Sequence, residues 1–368
     1  MWGNRMNTHF APPADSIVVH ASIGDYVEKI RGERPSASEV ATLLSDVVVH
    51  PEIVRGGLDI LKTGEKLEKV TDNDLVRRRA DGAERLAFYL ISGMANWPSY
   101  VARRALKDEI DVSDNPYGEA SVDPSAGALT IPPVDWDLLQ AVVAEANDCF
   151  DTKLSDQINP GKEVMRSAAI RGRVRESVIY KYAAHPAVLK IVSDYLGMFP
   201  ILNKINLLLS TNDRLQENSS QFPHLDPIDF KIAKIFLYVN DVDEDTGPFQ
   251  IMRADASDEI QLKYRYRFGR LTDEQMFDVV GKENLHVCVG PKGTANFADT
   301  CRGFHFGSRP APKQRKLIMY QYVTPFAAHW PIAERDVATK FKGGFIAHAE
   351  ASGIPLSRSE EHLIGIHR

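Results

Sequence analysis

Phe230-Lys231-Ile232-Ala233-Lys234-Ile235-Phe236-Leu237-Tyr238-Val239 is a short β-prone run. Asp243-Glu244-Asp245-Thr246-Gly247 and then Phe249-Gln250-Ile251-Met252 follow it. Strand, polar turn and strand in this order read as one element of an antiparallel sheet. Phe236 and Tyr238 share one strand face, because side chains alternate with a period of two. The same texture extends outward. Ile201 to Leu209, His286 to Val289, Thr294 to Phe297 and Leu317 to Val323 are short, apolar and β-prone, with turn residues at Gly290-Pro291-Lys292-Gly293 and from Gly307 to Pro312. Several short strands with turn punctuation predict a sandwich or barrel of jelly-roll type.

The first third reads differently. Ser36 and Glu39 form a capping box, and Val40, Leu43, Leu44, Val47 and Val48 recur at helical spacing. A second helical stretch runs through Leu86, Leu90, Ile91 and Met94 and reaches Trp97 before Pro98. Asp111 to Thr130 is rich in Asp, Ser, Gly, Ala and Pro and reads as a loop or linker. After Pro132 and Pro133, one helix carries Leu138, Leu139, Val142, Val143 and Ala146 on one face. Another starts at Pro186, is lined by Val188, Leu189, Val192 and Leu196, and stops at Gly197. The expectation is a mainly β core with a substantial helical N-terminal portion, α+β overall. Its parts are a helical region over 1–130, a core over 131–330 with a polar, partly helical insertion at about 253–285, and an extension over 331–368.

With 368 residues, 43% hydrophobic and 26% charged, the composition is that of a globular protein. A net charge of -6 gives no long-range attraction to nucleic acid or to anionic membrane. Cys149, Cys288 and Cys301 form no CxxC pair, which argues against a disulfide framework and a thiolate zinc site and favours a cytoplasmic setting. Met1 to Ser22 has no continuous apolar stretch after a basic start, so no signal peptide is expected. No window is long and apolar enough for a membrane span. GxSxG, GxGxxG after a strand, GxxxxGK[ST] and HExxH are all absent.

His224-Leu225-Asp226 places a histidine and a carboxylate at strand spacing i, i+2, on one face. His50-Pro51-Glu52 and His348-Ala349-Glu350 have the same spacing in segments that read as non-strand. Two histidines and one carboxylate leave one face of an octahedral metal open, which suits non-haem Fe(II). The third ligand is expected from a later histidine. His305 follows a strand; His286 reads as a core histidine, and His329, beside Trp330, as a packing residue. A 2-oxoglutarate site also needs a cation for the far carboxylate, and arginine gives a planar fork that stays charged when buried. Arg315 starts the next strand, whereas Arg309 in Ser308-Arg309-Pro310 reads as solvated.

His224-Leu225-Asp226, the run from Phe230 to Asp243, Asp245-Thr246-Gly247-Pro248-Phe249, the segment from Gly293 to His305, and Arg315-Lys316-Leu317 together resemble the phytanoyl-CoA dioxygenase family over roughly residues 200–325. The resemblance implies a double-stranded β-helix core, Fe(II), 2-oxoglutarate and O2, and hydroxylation of a C–H bond of a small-molecule substrate with release of succinate and CO2. It carries His224, Asp226 and His305 over as iron ligands and Arg315 as the anchor of the cosubstrate. Ser308 is a candidate for a second carboxylate contact, and Phe236 reads either as a residue packing the cosubstrate or as a core residue. The carboxylate at Asp226 separates the chain from halogenating relatives, which have a small residue there. Where the family has Pro-Gly-Ser-His, this chain has Arg253-Ala254-Asp255-Ala256.

Gln221 and Arg302 are candidates for contact with substrate; Arg302 could instead pair with Asp299. Lys263-Tyr264-Arg265-Tyr266-Arg267-Phe268-Gly269-Arg270 is the one basic, aromatic run and reads as a substrate lid or as a solvated face. Cys301 lacks a positioned base and reads as a small buried residue. Two rivals remain: a cupin-like metal-dependent isomerase or hydrolase on the same triad, and a non-catalytic jelly-roll binding module. Neither needs Arg315.

Overall fold

The structure, a computed structural model, describes residues 93, 97–151, 165–169 (backbone only), 176–211, 215, 220–327 except 265, 267 and 268, and 357–363. The helical readings over 36–48 and 86–92, the two other His-x-Glu tripeptides, and His329 and Trp330 lie outside the described residues. The described elements, in chain order, are α1 (Trp97–Lys107), β1 (Ala128–Ile131), α2 (Asp137–Cys149), β2 (Met165–Ala169), α3 (Val178–Ala183), α4 (Pro186–Leu196), β3 (Ile201–Ser210), β4 (Ala233–Tyr238), β5 (Phe249–Met252), α5 (Ala254–Tyr264), α6 (Asp273–Phe277), β6 (Leu285–Cys288), β7 (Ala295–Ala298), β8 (His305–Phe306), β9 (Arg315–Val323) and α7 (Arg358–Leu363). No described helix is long and apolar enough to cross a membrane.

The strands form two antiparallel sheets. One has six strands in the order β1-β7-β4-β9-β3-β2, the other three in the order β6-β5-β8. Alternation along each strand sorts the larger sheet into two faces. Ile205, Leu207, Ile235, Leu237, Phe297, Ile318 and Tyr320 join one apolar cluster with α2, α3 and α4. The opposite face supplies Leu208, Phe236, Tyr238, Leu317 and Met319, which meet Phe249, Ile251 and Cys288 of the smaller sheet. Both faces of β4 are thus covered and all six of its residues are buried, which is why its sequence is a nearly unbroken apolar run. Burial on the helix side stabilises by roughly 1.5–3 kcal/mol for each of Ile235, Leu237, Phe297 and Ile318.

Local signals set the ends of several elements. In α4 the His185 Nδ1 accepts from Ala187 N (3.2 Å), Pro186 occupies the first turn, and Gly197 closes the helix at φ 78°. Between β4 and β5 the side chains of Asp243 and Thr246 cap a single 3-10 turn, and Gly247 at φ 59° ends it. Three strands differ from the sequence expectation. β1 occupies the end of the segment read as a loop and crosses residue 130; it is a four-residue edge strand that pairs with β7 and ends at Pro132-Pro133. β2 pairs with β3. β8 is only two residues long, too short to show a period. The helix expected to end before Pro98 instead includes it: the described part of α1 runs from Trp97 to Lys107.

Arg103 ties the periphery together. It is fully buried, and its guanidinium donates to Ser99 Oγ (3.0 Å), Phe199 O (3.3 Å), Pro200 O (2.8 Å) and His362 O of α7. Burial without a carboxylate pushes it down to about 9. Charged hydrogen bonds contribute about 1.5–3 kcal/mol each. Arg103→Met keeps the volume and strands three carbonyls, and a loss of about 3 kcal/mol is expected. At roughly 2–4 °C per kcal/mol, the midpoint of thermal unfolding should fall by about 6–12 °C; a change under about 2 °C would contradict the account.

Candidate metal centre

His224 and Asp226 lie on the stretch that enters β4, and His305 opens β8. An antiparallel bridge joins the two histidines: His224 N donates to His305 O (3.2 Å) and His305 N to His224 O (3.0 Å). Asp226 N donates to Thr300 O (2.8 Å). His305 also faces Ile251 across β5, so one ligand belongs to the smaller sheet and pins the other two beside it.

The side chains converge. One ligand atom from each of His224, Asp226 and His305 lies within 4.8 Å of the other two, and the two rings are 4.2 Å apart at their centroids. His224 Nδ1 lies 2.8 Å from Phe222 O, and His305 Nδ1 lies 3.1 Å from Gly303 O. Each carbonyl takes the Nδ1 proton, which leaves the Nε2 lone pair turned toward Asp226. His305 Nε2 is 3.6 Å from Asp226 Oδ2. Two neutral imidazoles and one carboxylate are a suitable donor set for a divalent transition metal.

The protonation states agree. Burial pushes His224 down to about 4, only partly opposed by Asp226. Burial and then His224 hold His305 well below the ordinary histidine value. Burial pushes Asp226 upward, but Lys234, His305 and His224 outweigh it and hold the carboxyl below the usual range. All three donors are therefore in their metal-binding form at neutral pH. With folded-state values below 6.5, both imidazoles stay neutral at pH 6.5, His224 down to a pH of about 4, so metal competes with protons only in the acid range. Metal binding at pH 6.5 should release almost no protons, as read by calorimetry in buffers of different ionisation enthalpy. Two ordinary histidines with a pKa of 6.5 would each be half protonated there, and release of about one proton would contradict the reading.

Arg315 is the second feature. It is 3% exposed, at the start of β9. Nη2 donates to Ser308 Oγ (3.0 Å) and Ser210 Oγ (3.3 Å), and the two hydroxyls are 2.7 Å apart. Nε and Nη1 are buried without a hydrogen-bond partner. Burial lowers its pKa, with Tyr238 and Cys288 opposing. A Cβ added at Gly307 would come within 3.3 Å of Nη2. Ser308 adopts φ 56°, the only positive φ outside glycine among the described residues, a strain of about 1–3 kcal/mol of the kind found at ligand clamps. Gln221 is fully buried and its Nε2 donates to Ser308 O (2.6 Å); it braces the serine. Phe236 stacks on Phe249 with centroids 4.5 Å apart, and Phe249 lies 5.7 Å from the His305 ring. Phe236 thus belongs to an apolar floor that reaches the His305 ring through Phe249.

Other residues lie elsewhere. The Arg302 guanidinium donates to Pro124 O (2.9 Å) and sits 3.7 Å from Asp258, and Asp299 accepts from Tyr195; no described contact brings Arg302 to the triad. Arg309 is half-buried and not free in solvent: it grips Asp273 through two hydrogen bonds (2.8 and 2.6 Å) and lies over the Phe306 ring. His286 is half-buried and meets Thr130 Oγ1 (2.8 Å). Cys301 is buried, and its thiol is pushed well above the ordinary value by burial. In the basic run, Lys263 pairs with Asp278, while the Tyr266 hydroxyl accepts from Leu225 N (3.4 Å). Arg265, Arg267 and Phe268 lie outside the described residues.

Lys234 was missed by the sequence reading. Its ammonium meets Asp226 Oδ2 at 2.6 Å, and the residue is 8% exposed. The signal was available: Lys234, Phe236 and Tyr238 share one face of β4, so a charge there must point between the sheets. Ser210 carried no comparable mark, since only the register Ser210↔Arg315 brings it to the arginine.

No protein-family model matches the sequence, and no characterised protein does. Similar solved structures include the non-heme alpha ketoglutarate dependent epimerase SnoN from nogalamycin biosynthesis, at 15% identity over 60% of this chain and 83% of SnoN with a TM-score of 0.35. EctD from S. alaskensis in its apoform is similar at 13% identity over 58% of this chain and 79% of that one, with a TM-score of 0.41. HygX from Streptomyces hygroscopicus, solved with nickel and 2-oxoglutarate bound, is similar at 16% identity over 54% and 83%, with a TM-score of 0.36. These scores lie under 0.5, and no role is carried from these proteins to the chain.

Proposed function

We propose that the chain is an Fe(II)- and 2-oxoglutarate-dependent dioxygenase of the phytanoyl-CoA dioxygenase type, with a double-stranded β-helix (jelly-roll) core, that hydroxylates or otherwise oxidises a C–H bond of a small molecule. The observation that carries this reading is the pairing of a two-histidine, one-carboxylate group with a buried arginine that has two unpartnered nitrogens. A cupin-like hydrolase or a binding module gives no reason to bury that charge; a dicarboxylic cosubstrate does.

In this reading His224, Asp226 and His305 hold Fe(II). Arg315, with Ser308 and Ser210, takes the far carboxylate of 2-oxoglutarate, and Gln221 keeps Ser308 in place. Bound iron and 2-oxoglutarate supply the activation of O2, with succinate and CO2 as by-products. The chain's own work is positional. The Phe222 and Gly303 carbonyls fix both imidazole tautomers, Phe236 and Phe249 exclude water from the floor, and the insertion after β5 borders the stretch that carries His224 and Asp226 through Tyr266. Hydrogen bonds that orient metal ligands in this way govern affinity by about 10–100-fold.

Native mass spectrometry under anaerobic conditions tests the reading with no substrate in hand. One Ni(II) or Fe(II) and one 2-oxoglutarate per chain are expected, with 2-oxoglutarate retained only when metal is present. Metal uptake with no metal-dependent retention of 2-oxoglutarate would support one of the rivals.

A further inference from the structure

Ser308 sits in a backbone conformation that serine does not favour. Its φ of 56° lies in the left-handed region, which residues other than glycine mostly avoid. Only in that conformation does its Oγ stand 3.0 Å from Arg315 Nη2 and 2.7 Å from Ser210 Oγ. The backbone around it is fixed by groups outside the clamp. Gly307 N donates to Ser220 O (3.1 Å) and Ser308 N to Gly247 O (3.2 Å), while Ser308 O accepts from Gln221 Nε2 (2.6 Å).

Arg309 makes this a reciprocal clasp. The Gln221 side chain holds the Ser308 backbone, and the Arg309 side chain holds the Gln221 backbone, with Nε donating to Gln221 O (3.0 Å). The other two nitrogens go to one carboxylate: Nη1 donates to Asp273 Oδ2 (2.8 Å) and Nη2 to Asp273 Oδ1 (2.6 Å). All three guanidinium nitrogens are therefore committed, and the guanidinium carbon lies 3.8 Å from the centre of the Phe306 ring. A two-point fork fixes orientation in a way that a single exposed ion pair does not.

Asp273 opens α6, in the insertion after β5. That insertion is itself anchored. Leu271 N donates to Pro223 O (2.9 Å), the Tyr266 hydroxyl accepts from Leu225 N (3.4 Å), and Met276 is buried in one apolar cluster with Ile260, Phe304 and Phe306. The insertion thus meets the stretch that carries His224 and Asp226 on one side. Through Arg309 it meets the clamp at Ser308 on the other. Loss of either partner of the Asp273–Arg309 pair frees residue 309. Ser308 then relaxes toward negative φ, and its Oγ leaves Arg315.

We propose that Arg309, gripped by Asp273, is a positioning residue that keeps Ser308 turned toward Arg315, so that the insertion sets the affinity of the carboxylate clamp. By reciprocity, a filled clamp tightens the insertion on the core. Naming the bound acid as 2-oxoglutarate rests on the oxygenase reading; the hold on Ser308 does not.

The test uses the full chain and the variants Asp273→Asn and Arg309→Gln. The Asp273 side chain is 39% exposed and asparagine matches its shape, so that variant does not threaten the fold. Hydrogen exchange at the amides of Gly307 and Ser308, read by mass spectrometry, should quicken by about tenfold or more in both variants, with β9 unchanged. Anaerobic calorimetry of the Fe(II)-loaded protein should show 2-oxoglutarate affinity lowered by about fivefold or more, with iron affinity unchanged. Made on Ser308→Ala, the Asp273→Asn change should have no further effect on 2-oxoglutarate, because the group that the pair positions is gone. A purely structural pair would lower the unfolding temperature in both backgrounds and leave the ratio of 2-oxoglutarate to iron affinity alone. The inference is overturned if exchange at Gly307 and Ser308 is unchanged, if 2-oxoglutarate affinity is unchanged, or if Asp273→Asn weakens 2-oxoglutarate as much on Ser308→Ala as on the wild type. A wild-type chain that takes up no 2-oxoglutarate removes the oxygenase reading, and the exchange measurement then decides the hold on Ser308 by itself.

Discussion

Arg315→Met should weaken 2-oxoglutarate binding by more than about a hundredfold while leaving iron affinity nearly unchanged. Removing one partner of a buried charged pair costs on the order of 3–5 kcal/mol, and each 1.4 kcal/mol is about tenfold. Methionine preserves the packing beside Ser210 and Ser308, so the loss falls on the ligand's carboxylate. Without ligand the sign reverses. Arg315 is a buried cation with two unpartnered nitrogens, and its replacement should raise the unfolding temperature of the ligand-free protein. Weaker ligand binding together with a more stable apo-protein is the signature of a binding residue held at the expense of stability. A shift in 2-oxoglutarate affinity below about tenfold, or a destabilised apo-protein, would place the anchor elsewhere.

Asp226→Ala should remove metal binding and all iron-dependent turnover. It should also destabilise the fold, because Lys234 is left buried without its carboxylate, at a cost on the order of 3–5 kcal/mol. The two effects can be separated. Adding Lys234→Met to Asp226→Ala removes the stranded charge and should restore much of the stability without restoring metal binding. The measurements are calorimetric metal titration and thermal unfolding of each variant. Metal affinity that survives in Asp226→Ala sinks the ligand assignment; stability that does not recover in the double variant sinks the role given to Lys234.

The strands were legible where alternation runs long enough to be read. β3, β4, β5 and β9 lie close to their expected bounds because each has a face on an apolar cluster. β1 and β8 were hidden for opposite reasons. The first is an edge strand inside a turn-rich segment, and the second has only two residues. His224 and Asp226 were visible together because strand spacing places i and i+2 side by side, although the segment proves to be an isolated bridge at His224 and not a strand. His305 needed the fold: its partner is His224, 81 positions earlier in the chain (305 − 224). Arg315 was visible by its chemistry, Lys234 by its parity on β4, and Ser210 by neither. Arg309 was set aside as solvated because its partner, Asp273, lies 36 positions earlier in the chain (309 − 273) and nothing local marks the pair.

The most direct measurement is anaerobic titration of the Fe(II)-loaded chain with 2-oxoglutarate, followed by its weak visible metal-to-ligand charge-transfer absorption. The account predicts a saturable band at one equivalent, absent in His305→Ala and reached in Arg315→Met only at far higher 2-oxoglutarate. Iron that binds at the triad with no band at any 2-oxoglutarate concentration would contradict it.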